Sequence, residues 1–413
     1  MRLTQGLRHA AVAMFAAVLV GSPLAGAQTF SVIHTFSGGG DGYQPVSGLT
    51  IDQGGNLYGT TSDYAGPGTV FQMKKKNGAW LLSTLYTFNF YNGLIPQGRP
   101  VFGPGGAIYG TTTEGGGHIA NCGEFNCGAV YSLRPPQTVC RTVSRPWTGS
   151  LVYAFTGPDG DQPYFVDPAF DSSGNIYGTT TEGGAGLVGN VFQVTRSGGT
   201  WTATSIHDFS TTPPDGFLPG SGVVIDAAGN VYGTAEGGGL RGQGTVYRLS
   251  HSGSGWTETL IYSFTGGADG SSPIGGLVFD AAGNLYGATS GGGTGGGGTV
   301  FELSPAGGGQ WNFTLLYSLP GANYNGPYDS LSLDAAGNLY GTTYGNGAYN
   351  YGNIFTLTRN NGNWTYTDLH DFTGGADGGN PIGGVSIDGS GNLFGTTVYG
   401  GANQNGVVWE ITP

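Results

Sequence analysis

Apolar residues in this 413-residue chain come in short runs, separated by clusters of Gly, Asp and Asn. One stretch shows the pattern in full: residues 273–280 (PIGGLVFD), 284–289 (NLYGAT), 298–303 (GTVFEL) and 311–319 (WNFTLLYSL). The runs are rich in β-branched and aromatic residues, too short for helices and bounded by turn formers, so each predicts a strand. Beyond residue 27 no sustained 3.6-residue period occurs. The pattern predicts an all-β protein.

The four runs, labelled A to D, recur. The B run of residues 55–61 (GNLYGTT) returns six more times, centred on Tyr58, Tyr109, Tyr177, Tyr232, Tyr286, Tyr340 and Phe394, at spacings of 51, 68, 55, 54, 54 and 54 residues. A period of this length marks an array of supersecondary units. The D runs align on His34, Tyr86, Tyr153, His207, Tyr262, Tyr317 and His370, and six of them also carry a tryptophan: Trp80, Trp147, Trp201, Trp256, Trp311 and Trp364. The first D run (residues 29–36) precedes any A, B or C run, and the last unit stops after its C run (residues 406–411).

Complementary ends of this kind suit a closed ring, whereas an open solenoid would need capping repeats. The prediction is a single seven-bladed β-propeller over residues 28–413, built of four-stranded antiparallel blades, with the last blade closed by the N-terminal strand. In such a ring the D-to-A and B-to-C loops share one face.

Glycine and proline total 106 residues, but most glycines recur at fixed offsets, which argues for ordered turns over disorder. Residues 1–27 read as a signal peptide: Arg2 and Arg8, an apolar stretch over residues 10–20, then Ala25-Gly26-Ala27. Removing it leaves 11 basic against 25 acidic residues, which argues against a nucleic-acid partner. No later stretch is apolar enough to span a membrane. The expected product is a secreted, extracellular or periplasmic monomer. Cys122 and Cys127 lie in one insertion and Cys140 in the next; a Cys122–Cys127 disulfide suits an exported chain, with free thiols as the alternative.

Candidate chemistry divides into repeated and unrepeated residues. The carboxylate of the A-to-B turn recurs as Asp52, Asp171, Asp226, Asp280, Asp334 and Asp388, which favours turn capping over six metal sites. The D-to-A loops carry Asp41-Gly42, Asn92-Gly93, Asp159-Gly160, Asp215-Gly216, Asp269-Gly270, Asn325-Gly326 and Asp377-Gly378. A ring of calcium sites is one reading of them, but Asn in two blades favours plain turn chemistry, and no cofactor or metal is expected. His34, His207 and His370 share a position with tyrosines, so they read as packing residues and not catalytic ones.

The B-to-C loops break the symmetry. Blades one to four open theirs with Asp63, Glu114, Glu182 and Glu236. Glu114, Glu182 and Glu236 are the weak candidates for general acid and base in cleaving a carbohydrate or lactone. Blades six, seven and one instead present Tyr344, Asn346, Tyr349, Tyr351, Tyr399, Asn403, Gln404 and Tyr64. Aromatic faces beside amide groups suit a sugar ring, whose hydroxyls need both donors and acceptors. No zinc-protease helix, nucleophile elbow or phosphate-binding loop motif occurs.

The combined pattern G-N-L-Y-G-T-T, G-T-V-F-x-L, W-x-x-x-x-L-Y-S-F and D-G-x-x-P resembles the GloVer tandem repeat of choice-of-anchor exported bacterial proteins, across residues 29–413. That resemblance implies secretion or surface attachment. Because the chain ends with its last C run, free secretion is the expectation. The function expected is a non-catalytic secreted binding propeller for a glycan or another extracellular polymer. The alternatives are an exported hydrolase or lyase using the loop carboxylates, and a structural component of the cell envelope.

Overall fold

The computed structural model describes residues 28–62, 66–117, 122–136, 147–253 and 255–413. The segment read as a leader, together with Asp63, Tyr64 and Cys140, lies outside them. Seven four-stranded antiparallel sheets, each in the order A-B-C-D, form the propeller. In blade one these strands are Thr50–Ile51, Leu57–Thr61, Thr69–Lys76 and Ala79–Thr87. In blade seven they are Ser386–Ile387, Leu393–Thr397, Val407–Thr412 and, from the other end of the chain, Thr29–Thr35. Thr29 faces Thr412 and Thr35 faces Val407, so the N-terminal strand closes the ring.

Burial explains the recurring B sequence. Six of the seven B strands are buried at every position, because blades pack against both of their faces. The central glycine of each supplies room, not an unusual φ. Gly59 sits opposite Phe71 of its C strand, and a Cβ there would fall 2.5 Å from the Phe71 ring. Gly110 and Gly395 stand in the same relation to Tyr131 and Trp409.

Blade seven meets blade one as the others meet their neighbours. Trp80 lies edge-on to Phe394 at 5.8 Å, its Nε1 donates to Glu410 at 3.1 Å, and Thr396 Oγ1 donates to the Ser47 carbonyl at 2.8 Å. Four more tryptophans do likewise: Trp147 meets Tyr58, Trp256 meets Tyr177, Trp311 meets Tyr232 and Trp364 meets Tyr286. An aromatic seam therefore continues through the junction of the two chain ends.

The repeated carboxylates have structural partners. Asp52 accepts from the Gly54 and Asn56 backbone N–H groups, from Asn56 Nδ2 and from the Tyr58 hydroxyl. Partial burial opposes its charge, but these hydrogen bonds outweigh it and hold the carboxyl below its usual range. Burial, with Asp52 beside it, pushes the Tyr58 hydroxyl up to about 12. The same cap forms at Asp171, Asp226, Asp280, Asp334 and Asp388.

The D-to-A aspartates cap their own loops and meet the aligned His or Tyr of the D strand. His34, His207, Tyr262 and His370 reach Asp41, Asp215, Asp269 and Asp377 at 3.3, 3.4, 3.1 and 3.2 Å. Those carboxylates also accept the backbone N–H of Ser37, Ser210, Thr265 and Thr373. A β-bulge at the matching point of all seven C–D pairs re-aims the D strand just before this contact.

Two local expectations are corrected. The A runs pair as strands over only two residues, for example Val278–Phe279, because the preceding residues turn in against neighbouring blades. A Cβ on Gly275 would fall 2.4 Å from the Asp329 carbonyl. In blade six the counterpart of the Asp-Gly pair is Asn323-Tyr324, not Asn325-Gly326. Asn325 pairs through its backbone with Gly345, as Ser271 pairs with Gly291, which moves the alignment by two residues.

Candidate functional site

The axis of the ring is lined by the A strands, and there the repeat is broken. Two residues ahead of the A strand stands Gly48, Gly222, Gly276 or Gly384 in four blades and Ser330 in blade six, but Arg99 in blade two and Asp167 in blade three. Arg99 Nε lies 3.1 Å from Asp167 Oδ2, and its Nη2 reaches across to Asp329 of blade six at 3.4 Å. Asp167 also accepts the Arg99 backbone N–H, while Asp329 accepts those of Ser330 and Gly384, each at 2.6 Å. Burial, opposed by Arg99 and reinforced by Asp329, pushes the Asp167 carboxyl upward. On one side of this triad lies an A-strand channel of about 540 Å³ that includes Thr50, Ser332 and Ser386.

On the loop-face side a narrow neck bounded by Val46, Phe165, Tyr328 and Ile382 leads into a funnel of about 450 Å³. The funnel is walled by Tyr164 and Phe165 of blade three, Tyr324, Tyr328 and Tyr344 of blade six, and Tyr399 of blade seven. Gln44, Thr181 and Glu236 supply its polar edge. Sequence placement explains the convergence. The residue after the A-run proline lines either the neck or the funnel in every blade, and blades three and six place Tyr164 and Tyr328 there.

Two wall residues sit in left-handed backbone that such side chains rarely adopt. Phe165 (φ +52) belongs to a run one residue longer than its counterparts between proline and A strand. Tyr324 (φ +63) occupies the place of a positive-φ glycine in five other blades: Gly42, Gly93, Gly160, Gly270 and Gly378. Positive φ alone does not mark the funnel, since Ile95, Leu187 and Leu218 share it elsewhere; what sets Phe165 and Tyr324 apart is that their rings line it.

Three of the tyrosines form one cluster. Tyr328 lies 5.2 Å from Tyr344, centroid to centroid, and its hydroxyl donates to the Tyr324 carbonyl at 3.0 Å. Burial, then Tyr344, Glu236 and Tyr324, raise the Tyr328 pKa. Burial alone raises that of Glu236.

The sequence candidates separate accordingly. Tyr344, Tyr399 and Glu236 reach the funnel. Asn346 turns into a smaller cleft of about 340 Å³ and donates to the Gly297 carbonyl at 3.1 Å. Tyr349 and Tyr351 stand 56% and 45% exposed outside the funnel, Asn403 braces the Phe36 carbonyl at 3.0 Å, and Gln404 closes a turn at φ +60. Tyr64 lies outside the described residues.

Of the acid candidates, Glu114 and Glu182 do not line the funnel; they are pinned in backbone bridges to Leu94 and Asp161. Beside Glu182, Asp161 is pushed up to about 6 by burial and by that neighbouring carboxylate. Cys122 and Cys127 are joined as a disulfide.

Several residues here escaped sequence reasoning: Arg99, Asp167, Asp329, Tyr164, Phe165, Tyr324 and Tyr328. For Arg99, Phe165, Asp167 and Asp329 the available signal was departure from the small residues that follow the proline of the A runs; Tyr164 and Tyr328 stand at the variable position after that proline, and Tyr324 in the loop before it. A further group forms at the seam of blades three and four, where His207, Asp215 and Glu258 bring ligand-type atoms within 4.8 Å of one another. Its His–Asp half is shared with His34–Asp41 and His370–Asp377, so only Glu258, from the next blade, sets it apart. Burial opposes the His207 charge, but Asp215 and Glu258 outweigh it and raise the pKa.

Comparison with solved structures finds propellers at low identity. An ulvan lyase, a polysaccharide lyase, is 11% identical with a TM-score of 0.53, over 89% of this chain and 94% of its own. An α-L-arabinofuranosidase of Fusarium graminearum is 15% identical (TM-score 0.45; 77% and 93% covered), and a Dyadobacter fermentans protein of unknown function 11% (TM-score 0.46; 94% and 100%). Such likenesses speak to the fold and not to the chemistry. No curated protein matches the chain by sequence. The family model of the Gloeobacter/Verrucomicrobia repeat matches residues 117–311 and 255–413, and the chain belongs to that repeat family.

Proposed function

We propose that this protein is an exported, non-catalytic binding propeller that takes a glycan chain in the axial funnel. The observation that carries the reading is the convergence of five tyrosines and Phe165 from three blades on one concavity with few polar groups. An aromatic-walled hollow with a few placed polar side chains is a usual form of a small-ligand site. Tyrosine faces stack on the C–H side of a sugar ring, while Gln44, Thr181 and Glu236 meet hydroxyls. Export is supported by the sequence of residues 1–27 and by the Cys122–Cys127 disulfide.

A glycan array followed by calorimetry tests the reading. Tyr344→Ala and Tyr328→Ala are expected to weaken binding by tenfold or more, roughly the loss of one buried aromatic contact. Array binding that survives both substitutions unchanged overturns it. A second reading, a hydrolase or lyase, is favoured by one feature: Glu236, with its proton affinity raised by burial, lines the same funnel as Tyr328. Product release from an array-positive glycan by the wild type, abolished in Glu236→Gln, would establish it.

A further inference from the structure

We propose that the funnel selects a sugar carrying an unsubstituted, protonated amine: its ligand is a basic amino-sugar polymer, not an acidic glycan. The inference rests on the glycan-binding reading and specifies its ligand class.

Charge along the axis carries the argument. Among the described residues, Glu236 is the only carboxylate on the funnel wall, and no Lys, Arg or His lines that wall. Below the neck the sole cation among the described residues is Arg99, already engaged by Asp167 at 3.1 Å and Asp329 at 3.4 Å. One guanidinium therefore faces three carboxylates from funnel to triad. A uronate or sulfate ester entering here would find no cation of its own, whereas recognition of such groups relies on bidentate arginine. An ammonium would find Glu236 and a cage of tyrosine faces. Cations are drawn to such faces by the ring quadrupole, and more strongly where water is excluded.

The rest of the molecule points the same way. Its basic residues are few, so the field at the mouth favours positively charged ligands. Burial raises the Glu236 pKa with no nearby cation to lower it, so an incoming ammonium would relieve the cost of the carboxylate. Tyr324, at φ +63, adds a ring where the six other blades have only glycine, and Phe165 adds another through an inserted residue. Both departures enlarge the aromatic cage.

The test is titration calorimetry of the intact protein at pH 6 with two probes, a fully deacetylated glucosamine hexamer and the fully N-acetylated hexamer. The expected result is at least tenfold tighter binding of the deacetylated probe, weakened by salt. Glu236→Gln should remove that preference, weakening the deacetylated probe at least tenfold more than the acetylated one, with the melting temperature kept. Tyr399→Ala, at the rim, should weaken both probes. Equal or tighter binding of the acetylated hexamer that still depends on Tyr399 overturns the amine preference and leaves glycan binding standing. No binding of either hexamer also overturns the amine proposal, and the array result then decides the wider reading on its own.

Discussion

Two sets of carboxylates in this propeller look alike in composition and behave differently. The turn aspartates, of which Asp280 is one example, take their donors from within six residues: the backbone of Ala282 and Asn284, Asn284 Nδ2 and the Tyr286 hydroxyl. The axial set takes partners from distant blades, with Arg99 and Asp329 separated by 230 positions. Local caps can be copied from unit to unit because each unit carries its own donors. An axial contact can be made only once, since all seven blades converge on one line. Departure from the repeat is therefore informative at the axis, while conformity to it elsewhere marks structure.

The contrast can be broken at its strongest point first. Deleting residues 28–36 removes the strand that pairs with Val407–Thr412 and the fully buried Phe36, exposing the edge of blade seven. The melting temperature is expected to fall by on the order of 10 °C or more, or cooperative melting to vanish. Scanning calorimetry showing a wild-type transition would mean that closure is dispensable.

Arg99→Met comes next. It leaves Asp167 and Asp329 facing each other without their cation, with an expected loss of about 3 kcal/mol in denaturant unfolding. Adding Asp167→Asn and Asp329→Asn to the same protein should recover most of it, because the cost lies in the stranded charges. Equal losses in the single and triple variants would show that Arg99 acts by packing instead.

Asp280→Asn should cost about 1 kcal/mol, and combining it with Asp334→Asn should be additive, since the two caps share no donors. Burial opposes the Asp280 charge, yet its hydrogen bonds hold the folded carboxyl below the usual carboxylate range. Its stabilising effect is thus fully present above the unfolded pKa and is lost as pH falls through the folded value. The gap between wild type and variant should close below about pH 4. A gap that widens on acidification would contradict the cap. Smallest of all, Tyr349→Ala, outside the funnel, should change stability by less than about 0.5 kcal/mol and leave glycan affinity alone.

Legibility followed the same division. The repeat of Tyr58, the aligned His34 and Tyr86 and the unmatched first D run were enough to count blades and place the closure. Tyr344 and Tyr399 were found because they lie in loops that visibly break the pattern. Tyr349, Tyr351, Asn346, Asn403 and Gln404 share those loops, but loop composition carries no direction, and backbone turns send these side chains elsewhere. Tyr324 was hidden by the choice of the wrong dipeptide in its loop.

Strand periodicity, turn chemistry and complementary ends are properties of neighbouring residues, so the amino-acid order alone determined an all-β ring of seven units. Which side chains meet on the axis was decided only by tertiary structure. Closing the ring brings Tyr164, Glu236, Tyr328 and Tyr399 to one concavity and sets Arg99 between Asp167 and Asp329. No local period encodes distances between blades, because these depend on all seven packing together.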